Sequence, residues 1–336
     1  MSLATTYLGL QLAHPIVAAA SPLTATLDGM RRLEDAGAAA VVMASLYEEQ
    51  IREEDTAYAL YTEQGSNSQP EATSYFPELV DYDSGVSGHL ETLQRASAAL
   101  DIPVIASLNG TTAEGWVGHA RALAQAGAAA IELNVYSVPV DPTVSGADVE
   151  RQTLEIVREV AASVPIPVTI KLAPYFSSVP HMAAELVRAG AAGLVLFNRY
   201  YAPDIDLTTL RVTRSLPLST AAELPLSLVS IALLSRRVAC SLAASRGVET
   251  HVEVIKYLLV GADVVTTASA LLRNGPEHLS TMREGLERWL GENGFDSVSA
   301  IRGLKDATHV EHVDALLRAQ YVASLTEYLP GKLVPP

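Results

Sequence analysis

Cysteine is almost absent from this sequence of 336 residues, which contains only Cys240. No disulfide bond can form within the chain, so stability must come from a packed core, and a reducing compartment is expected. Aromatic residues are also scarce, at 6% against 49% hydrophobic residues overall. The core is therefore predicted to be aliphatic, and a chain of this length suffices for one large domain.

The sequence also contains few positively charged residues and no long apolar runs. The 23 Lys and Arg residues face 38 Asp and Glu residues, which leaves a formal net charge of −15. Nucleic acids and anionic membranes both require a positive surface, so neither is expected as a partner. No apolar run approaches the ~18 residues of a membrane span, and the first residues lack a signal-peptide pattern. We expect a soluble cytoplasmic protein.

What the sequence does contain is a recurring phrase, in which an amphipathic helix ends at a glycine and a short buried strand follows. The phrase occurs four times, as LEDAGAAAVVMAS (33–45), LAQAGAAAIELNV (123–135), LVRAGAAGLVLFN (186–198) and LLVGADVVTTAS (258–269). Its glycine can adopt the left-handed conformation that ends a helix. The residues that follow show no polar alternation, as expected of a strand buried on both faces. Repetition of this unit predicts a parallel sheet.

Four further strands fit between these repeats. They are PIVAAAS (15–21), IPVIASLN (102–109), IPVTIKL (166–172) and ACSLAAS (239–245). Eight strands, each followed by a helical pattern, match the (β/α)₈ barrel in number and length. A doubly wound open sheet is the alternative, but the first strand continues as SPLTATLDG, without a glycine-rich dinucleotide fingerprint. We therefore predict an α/β fold, a (β/α)₈ TIM barrel.

Two predicted connections are longer than ordinary βα loops. Residues 46–101 follow the second strand and residues 199–238 follow the sixth, and both leave from carboxyl ends of strands. We expect them to extend over the active face as lids or substrate walls. Residues 1–295 are assigned to the barrel. Residues 296–336 are assigned to a helical extension that packs on the barrel or on a partner subunit.

Chemistry in such barrels takes place where the strands end at the carboxyl face. The eight predicted strand ends carry seven small neutral hydrogen-bonding residues and one lysine. They are Ser21, Ser45, Asn109, Asn134, Lys171, Asn198, Ser245 and Ser269. No His, Cys or Asp stands at these positions, so no metal site of the His and carboxylate kind is expected. Cys240 lies early in the seventh strand, toward the opposite face, where it is predicted to pack in the core.

Lys171 is one of only four lysines, and it lies within an aliphatic strand. A lysine in that setting costs several kcal/mol unless it is paired. Glu132 is predicted to face the same side of the neighbouring fourth strand, so an ion pair between the two is one interpretation. The other is functional: Lys171 offers positive charge to an anion or an electron-accepting ring, or acts as the nucleophile that forms a Schiff base.

The loops after the seventh and eighth strands read AASRGVET (243–250) and TASALLRNGP (267–276). This is where many barrels hold a phosphate group. Gly247 is predicted to allow close approach of a ligand to the backbone, and Arg246 adds a cation. Both loops lead into helices whose N-terminal N–H groups favour anions. A phosphate site is therefore predicted at these two loops.

Several of these segments resemble the dihydroorotate dehydrogenase family, the FMN-dependent barrels of pyrimidine biosynthesis. The resemblance extends from about residue 8 to residue 295 and follows the order of strands four to eight. It rests on IELNVYSVP (131–139), IKLAPYFSS (170–178), LFN (196–198), RGVET (246–250) and GADVVTTASALLRNGP (261–276). The first segment is similar to the family's ELN-x-S-C/S-P-N stretch, and the second to its VKLPPYF.

The resemblance implies a place for each of the polar residues. Lys171 would lie by the N1/O2 edge of the flavin and stabilise its reduced form, and Ser137 would take the substrate proton as hydride leaves for the flavin. Asn198 and Arg199, together with Asn134, would contact the substrate. Contacts to the flavin or its phosphate are implied for Ala20, Ser21, Ser45, Asn109, Asn134, Lys171, Arg246, Gly247, Ala268 and Ser269.

The sequence also departs from the family's pattern, mainly on the substrate side. Met43 stands where the family has a lysine, Pro139 where it has the Asn that closes its catalytic loop, and Arg199 where it has Ser or Thr. In the phosphate loops, Arg246 replaces a Gly and Ala268 replaces a Gly or Tyr. Flavin-side groups are mostly retained, while orotate-side groups are largely replaced. This pattern is similar to the dehydrogenase-like branch of the family.

The leading interpretation is an enzyme, an FMN-dependent oxidoreductase that oxidises the CH–CH bond of dihydroorotate or of a related small anionic compound. One alternative is an FMN-binding protein without dehydrogenase turnover, such as an accessory subunit of a redox complex. Another is a Schiff-base lyase that uses Lys171. We expect a homodimer, and the sequence identifies neither the substrate nor the electron acceptor.

Overall fold

The computed structural model of the protein describes residues 1–49, 85–110, 116–136, 138–199, 204–212 and 217–327. Within these ranges, parallel strands form a closed barrel. They are β1 (Ile16–Ala18), β2 (Val41–Val42), β3 (Val104–Gly110), β4 (Ala130–Val135), β5 (Val168–Leu172), β6 (Gly193–Leu196), β7 (Ser241–Ala244) and β8 (Val264–Thr267). Each strand pairs with the next, and β8 pairs with β1 to close the barrel. The predicted (β/α)₈ TIM barrel is thereby confirmed.

Helices follow the strands and cover the outside of the barrel. In chain order they are α1 (Leu27–Asp35), α2 (Val86–Ala99), α3 (Trp116–Gln125), α4 (Gly146–Ser163), α5 (Val179–Arg188), α6 (Leu224–Leu234), α7 (His251–Leu259), α8 (Ser269–Asn274), α9 (His278–Glu292), α10 (Val298–Ile301) and α11 (Val313–Glu327). Several begin at a capping residue. The Ser145 side chain, for example, accepts a hydrogen bond from the Asp148 N–H, and the Asp148 carboxylate accepts one from the Ser145 N–H. Such caps satisfy backbone donors that the first helical turn leaves open.

The glycines of the repeated phrase adopt the predicted left-handed backbone. Their φ angles are +89° at Gly37, +97° at Gly127, +109° at Gly190 and +110° at Gly261. A side chain at any of these positions would be strained, because L-residues rarely adopt this conformation. Each glycine therefore ends its helix and turns the chain into the next strand, as predicted.

A small antiparallel hairpin, Thr5–Tyr7 with Leu10–Leu12, closes the amino end of the barrel. Tyr7 and Leu8 at its tip are buried in the same cluster as inward-facing strand residues. The Tyr7 hydroxyl donates a hydrogen bond to Thr169 Oγ1 at 3.3 Å, and the Leu8 N–H donates to Ser241 Oγ at 3.0 Å. Side chains of the hairpin therefore fill the centre of the barrel at its amino end.

The chain after α9 runs back along the barrel. The Ser2 N–H donates to the Asp296 carbonyl at 2.8 Å, and the Lys305 N–H donates to the carbonyl of Leu259 at 2.7 Å. Helix α11 then exposes several apolar side chains, those of Leu316, Leu317, Tyr321, Val322 and Leu325. The division into a barrel of residues 1–295 and an extension of residues 296–336 stays a prediction.

The two long connections are described only in part. Of the predicted lid at 46–101, residues 50–84 lie outside the described residues, and of the predicted wall at 199–238, residues 200–203 and 213–216 do. Residues 217–223, which we call the wall segment, are described and contact the carboxyl face. The wall segment includes a short 3₁₀ helix, Ala221–Glu223, directly before α6.

Helices in the described part of the chain are all too short or too polar to cross a membrane. Within the same ranges, no group of three or more His, Cys, Asp or Glu side chains is placed to hold a metal ion. The expected cytoplasmic location and the expected absence of a metal site stay predictions.

Cys240 is half-buried against the core directly before β7, and this burial raises the pKa of its thiol to about 12. Because the thiolate is the reactive form, only about one thiol in 10,000 is reactive at pH 8. We expect a disulfide reagent such as DTNB to react with the folded protein about 1,000-fold more slowly than with the protein unfolded in urea. Equal rates before and after unfolding would show that the thiol is accessible and ionised.

Candidate functional site

A cavity of about 240 Å³ opens at the carboxyl end of the barrel. Its size is slightly below the roughly 300–1,000 Å³ of most small-molecule sites, so it suits a small ligand or part of a larger one. It lies between the ends of β1, β5, β6, β7 and β8 and the wall segment. Its polar and charged lining residues are Ser21, Lys171, Asn198, Arg199, Ser219, Ser245, Arg246, Thr266, Thr267 and Ser269.

The charge of this lining is opposite to that of the chain. Lys171, Arg199 and Arg246 line the cavity, and among the described residues no Asp or Glu does. The chain as a whole carries a formal net charge of −15. Three cationic side chains collected in one concave, partly desolvated place favour an anionic ligand.

Lys171 on β5 is paired with Glu132 on β4. Its Nζ donates a hydrogen bond to Glu132 Oε1 at 3.1 Å, and the two side chains are only 12% and 3% exposed. The predicted ion pair is therefore confirmed. Lys171 also lines the cavity, whereas Glu132 lies beneath it. The cation thus faces the ligand site while its counter-charge is held in the barrel interior.

A chain of hydrogen bonds crosses the barrel under the cavity. Asn198 Nδ2 donates to Asn134 Oδ1 at 3.4 Å, and Asn134 Nδ2 donates to Ser107 Oγ at 3.1 Å. Ser107 and Ser45 share a further hydrogen bond of 2.8 Å between their hydroxyl oxygens. Ser107 was not among the predicted site residues. Its position two residues before Asn109 in β3 places both on one face of the strand, which is the signal that could have revealed it.

Two arginines of the cavity meet one carboxylate of the wall segment. Arg246 Nη2 donates to Glu223 Oε2 at 2.6 Å, and Arg199 Nη2 lies 3.5 Å from Glu223 Oε1. Burial raises the pKa of Glu223, but the hydrogen bond from Arg246 and the charge of Arg199 outweigh burial and lower it overall. The Nε of Arg246 is buried without a hydrogen-bond partner among the described residues. Glu223 was missed because nothing local in the sequence relates it to strand ends.

The wall segment is joined to the loop after β8 through two serines. The backbone N–H and the hydroxyl of Ser219 both donate to Ser269 Oγ, at 3.0 and 2.9 Å. Arg273 fixes the same stretch by donating to the carbonyls of Leu218 and Ser219, at 2.9 and 2.7 Å. A serine hydroxyl has two acceptor lone pairs and one proton. Both lone pairs of Ser269 are engaged, so its own O–H remains available as a donor.

Gly247 corrects one of our expectations. Its φ of +67° follows a φ of +79° at Arg246, so two successive residues adopt the left-handed backbone. A Cβ on Gly247 would lie only 2.9 Å from the Leu224 nitrogen and 2.9 Å from the Thr220 oxygen. The close approach that Gly247 permits is therefore that of the chain's own backbone, and not that of a ligand. A β-branched residue there would push the wall segment away, whatever the cavity binds.

The two helices that follow the predicted phosphate loops begin in different ways. Helix α7 begins four residues after Gly247, and its first N–H groups are occupied by its own cap, in which Val252 N–H donates to Thr250 Oγ1 at 3.2 Å. Helix α8 contains 6 residues and has no side-chain cap, and Ala268 and Ser269 at its start line the cavity. The loop after β7, which carries Arg246, also lines the cavity. That loop is held by α7, where the Tyr257 hydroxyl donates to the Arg246 carbonyl at 2.8 Å.

The structure brings most of the predicted site residues together. Those that line the cavity are Ala20, Ser21, Lys171, Asn198, Arg199, Arg246, Ala268 and Ser269. Ser45 and Asn134 belong to the hydrogen-bond chain beneath the cavity, and Asn109 is half-buried opposite Asn134 in the register of β3 and β4. Gly247 is buried under the wall segment. Ser137 lies outside the described residues.

The positions that depart from the family's pattern occupy three different environments. Met43 is 1% exposed and packs in the hydrophobic core. Pro139 is exposed. Arg199 lines the cavity and contacts Glu223. Neither Met43 nor Pro139 presents a hydrogen-bonding side chain to the cavity.

The sequence of this chain is similar to those of known proteins. Residues 81–290 match the family model described as dihydroorotate dehydrogenase. A relative named putative dihydroorotate dehydrogenase A (fumarate), from Aeropyrum pernix, is 31% identical over 221 residues, which cover 63% of this chain and 69% of that protein. The protein named dihydroorotate dehydrogenase B (NAD(+)), catalytic subunit, from Bacillus mycoides is 30% identical over 209 residues, which cover 60% of this chain and 67% of that one. Its namesake from Shouchella clausii is 28% identical over 224 residues, covering 65% and 73%.

Proposed function

The chain belongs to the dihydroorotate dehydrogenase family, and from this membership we propose that it is an oxidoreductase that binds FMN at the carboxyl face and acts on a small anionic compound. The observation that carries the proposal is the cavity that collects Lys171, Arg199 and Arg246 without a carboxylate among its described lining residues. Those charges suit a phosphate together with a second anionic group.

The residues of the cavity fit a phosphorylated ligand. The buried Arg246 Nε needs an acceptor, because an unsatisfied buried donor costs about 1–3 kcal/mol. The Ser269 hydroxyl is oriented as a donor by the two hydrogen bonds that it accepts from Ser219. Ala20 and Ala268, small residues that follow the neighbouring strands β1 and β8, let a ligand approach the strand ends closely. Together, Arg246 and Ser269 would hold the phosphate of FMN.

When bound, FMN supplies a ring that accepts hydride from a carbon of the substrate. Lys171 would hold a positive charge beside that ring, and its pairing with Glu132 fixes the position of its ammonium group. Asn198 would orient the substrate, and Asn134 fixes the Asn198 amide by accepting its hydrogen bond. Leu218 and Pro22, at the rim of the cavity, would exclude water. The proton acceptor in this proposal is Ser137, on the family resemblance.

We expect the purified protein to be yellow and to release about one FMN per chain on denaturation, one for the cavity at its carboxyl face. Ala268→Glu places a carboxylate beside the proposed phosphate site. It should weaken FMN binding about 100-fold or more, because like charges in contact cost several kcal/mol. Flavin fluorescence during titration of the flavin-free protein measures this affinity.

The matched control is Ala162→Glu, which adds the same charge at an exposed position in α4. It should leave FMN affinity unchanged. Equal FMN affinity in the Ala268→Glu variant and the parent protein would place the phosphate elsewhere. A parent protein that binds no FMN would overturn the proposal.

A second candidate function is supported by the departures from the family's pattern. The side chain of Met43 is buried in the core, and Arg199 contacts Glu223, so two substrate-side groups of the family are replaced by groups with other contacts. An FMN-binding protein without dehydrogenase turnover fits this pattern. A Schiff-base lyase fits it less well, since Lys171 is held by a buried carboxylate, whereas nucleophilic lysines are desolvated without a negative partner.

The proposal also covers the oligomeric state of the protein, its location and its electron acceptor. We propose a homodimer in the cytoplasm, with an electron acceptor whose identity neither the cavity nor the family name specifies. Gel filtration with light scattering measures the first of these, and reoxidation of the reduced protein by candidate acceptors measures the last.

A further inference from the structure

The carboxylate of Glu223 contacts two arginines at very different distances. Its Oε2 accepts a short hydrogen bond of 2.6 Å from Arg246. Its Oε1 has two long contacts, 3.5 Å to Arg199 Nη2 and 3.4 Å to the Thr220 N–H. A charge-assisted hydrogen bond between nitrogen and oxygen is normally about 2.7–2.9 Å long. Arg246 is therefore held firmly and Arg199 only loosely.

The charges of this group do not cancel. One carboxylate faces two guanidinium groups, all three side chains are between 19% and 25% exposed, and both arginines line the cavity. The hydrogen bond of Glu223 to Arg246 is much shorter than its contact with Arg199. The positive charge of Arg246 is therefore neutralised, and that of Arg199 is left unbalanced. A carboxylate with one oxygen toward each of two arginines also has the geometry that an anionic ligand would adopt there.

We propose that Arg199 selects the anionic group of the substrate and that Glu223 is an internal competitor for it. This inference rests on the proposed function, since it concerns the substrate of that same cavity. Substrate binding exchanges the long contact between Arg199 and Glu223 for a short one between Arg199 and a ligand carboxylate. Glu223 keeps its hydrogen bond to Arg246 throughout. Only ligands whose anionic group outcompetes Glu223 are then retained.

A purely structural role for Glu223 predicts something else. If the carboxylate serves only to hold the wall segment against the barrel, its charge is needed for stability and has no bearing on anion binding. Glu223→Gln separates the two roles, because its amide oxygen can still accept from Arg246 while the negative charge that competes for Arg199 is lost.

The experiment is a calorimetric titration with fumarate, a planar dicarboxylate, and with its neutral diamide. We expect Glu223→Gln to bind fumarate about tenfold more tightly than the parent protein, the gain expected when one charged hydrogen bond no longer has to be exchanged. Arg199→Gln should abolish binding, and the double variant should show no gain. The diamide should bind equally to all four proteins. Asp148→Asn, which removes the carboxylate of the exposed Arg151 ion pair on α4, is the matched control and should change nothing.

Equal fumarate affinity in Glu223→Gln and the parent protein overturns the inference, as does a gain that persists without Arg199. So does a Glu223→Gln variant that fails to bind fumarate. Flavin content is measured separately on the same samples. A protein that binds no FMN but shows the Arg199-dependent gain refutes the proposed function alone, and one that binds FMN without the gain refutes this inference alone.

Discussion

Lys171→Met is expected to destabilise the folded protein by about 3–5 kcal/mol, because it leaves the carboxylate of Glu132 buried without its partner. Glu132 is 3% exposed and receives the Lys171 ammonium at 3.1 Å. Burial of an uncompensated charge is far more costly than the net worth of the pair. Urea unfolding followed by circular dichroism measures the loss, and a shift of the midpoint at constant slope would show that only stability has changed.

The same variant is expected to lower the midpoint potential of the bound flavin. A cation about 4 Å from the negative charge of a reduced flavin contributes about 4 kcal/mol at an effective dielectric constant near 20. Desolvation and the charge of Glu132 cancel part of this energy, which leaves about 1–3 kcal/mol. For a two-electron couple, that range corresponds to about 20–60 mV.

A double variant, Lys171→Met with Glu132→Leu, separates the two effects. Replacing a buried ion pair by apolar residues of similar volume is often neutral in stability, so the double variant should unfold near the midpoint of the parent protein. Its flavin potential should remain low, because Lys171 lines the cavity and Glu132 does not. A restored stability together with an unshifted potential in both variants would mean that Lys171 only supports the barrel.

Oxidation of dihydroorotate is expected to be at least about 100-fold slower than the roughly 10 turnovers per second of an ordinary enzyme, since lost positioning alone has an effect of this size. Met43 is buried in the core, Pro139 is exposed, and Arg199 contacts Glu223. Met43 and Pro139 offer no side-chain hydrogen bond in place of those of the family's residues, and Arg199 offers a guanidinium group in place of a hydroxyl. Anaerobic bleaching of the flavin after mixing with dihydroorotate measures the rate.

Reduction of the same sample by dithionite is the control, because it shows that the bound flavin can be reduced at all. Rapid bleaching by dihydroorotate would refute the prediction and would make this compound the substrate. Slow bleaching by dihydroorotate with complete reduction by dithionite would support another anionic substrate or the second candidate function.

The barrel itself could be predicted because its defining features are local. Gly37, Gly127, Gly190 and Gly261 each mark a point where a helix must end, and all four have the left-handed backbone in the structure. Every strand pairs with the next one along the chain, so the order of the repeats is also the order of the sheet. The pairing of Lys171 with Glu132 followed from the same regularity, since neighbouring parallel strands bring inward-facing residues side by side.

The errors arose at residues whose partners lie far away in the sequence. Gly247 resembles a position where a ligand approaches the backbone, yet the wall segment fills that space. The contact of Arg246 with Glu223 was likewise not predicted. Both outcomes have one cause, because the wall segment was treated only as part of a long connection whose path no pattern in the sequence specifies.

The sequence by itself thus determined the barrel, the face on which the cavity opens and most of the polar residues at its strand ends, because helix ends, strand periodicity and strand order are consequences of neighbouring residues. Only the tertiary structure decided which charges remain available at that face. Glu223 and Ser219 reach the site through the folding of a loop back over β7 and β8, and their contacts with Arg246 and Ser269 join residues 23 and 50 positions apart. Such contacts depend on the path of the loop in space, and no periodic pattern in the sequence specifies that path.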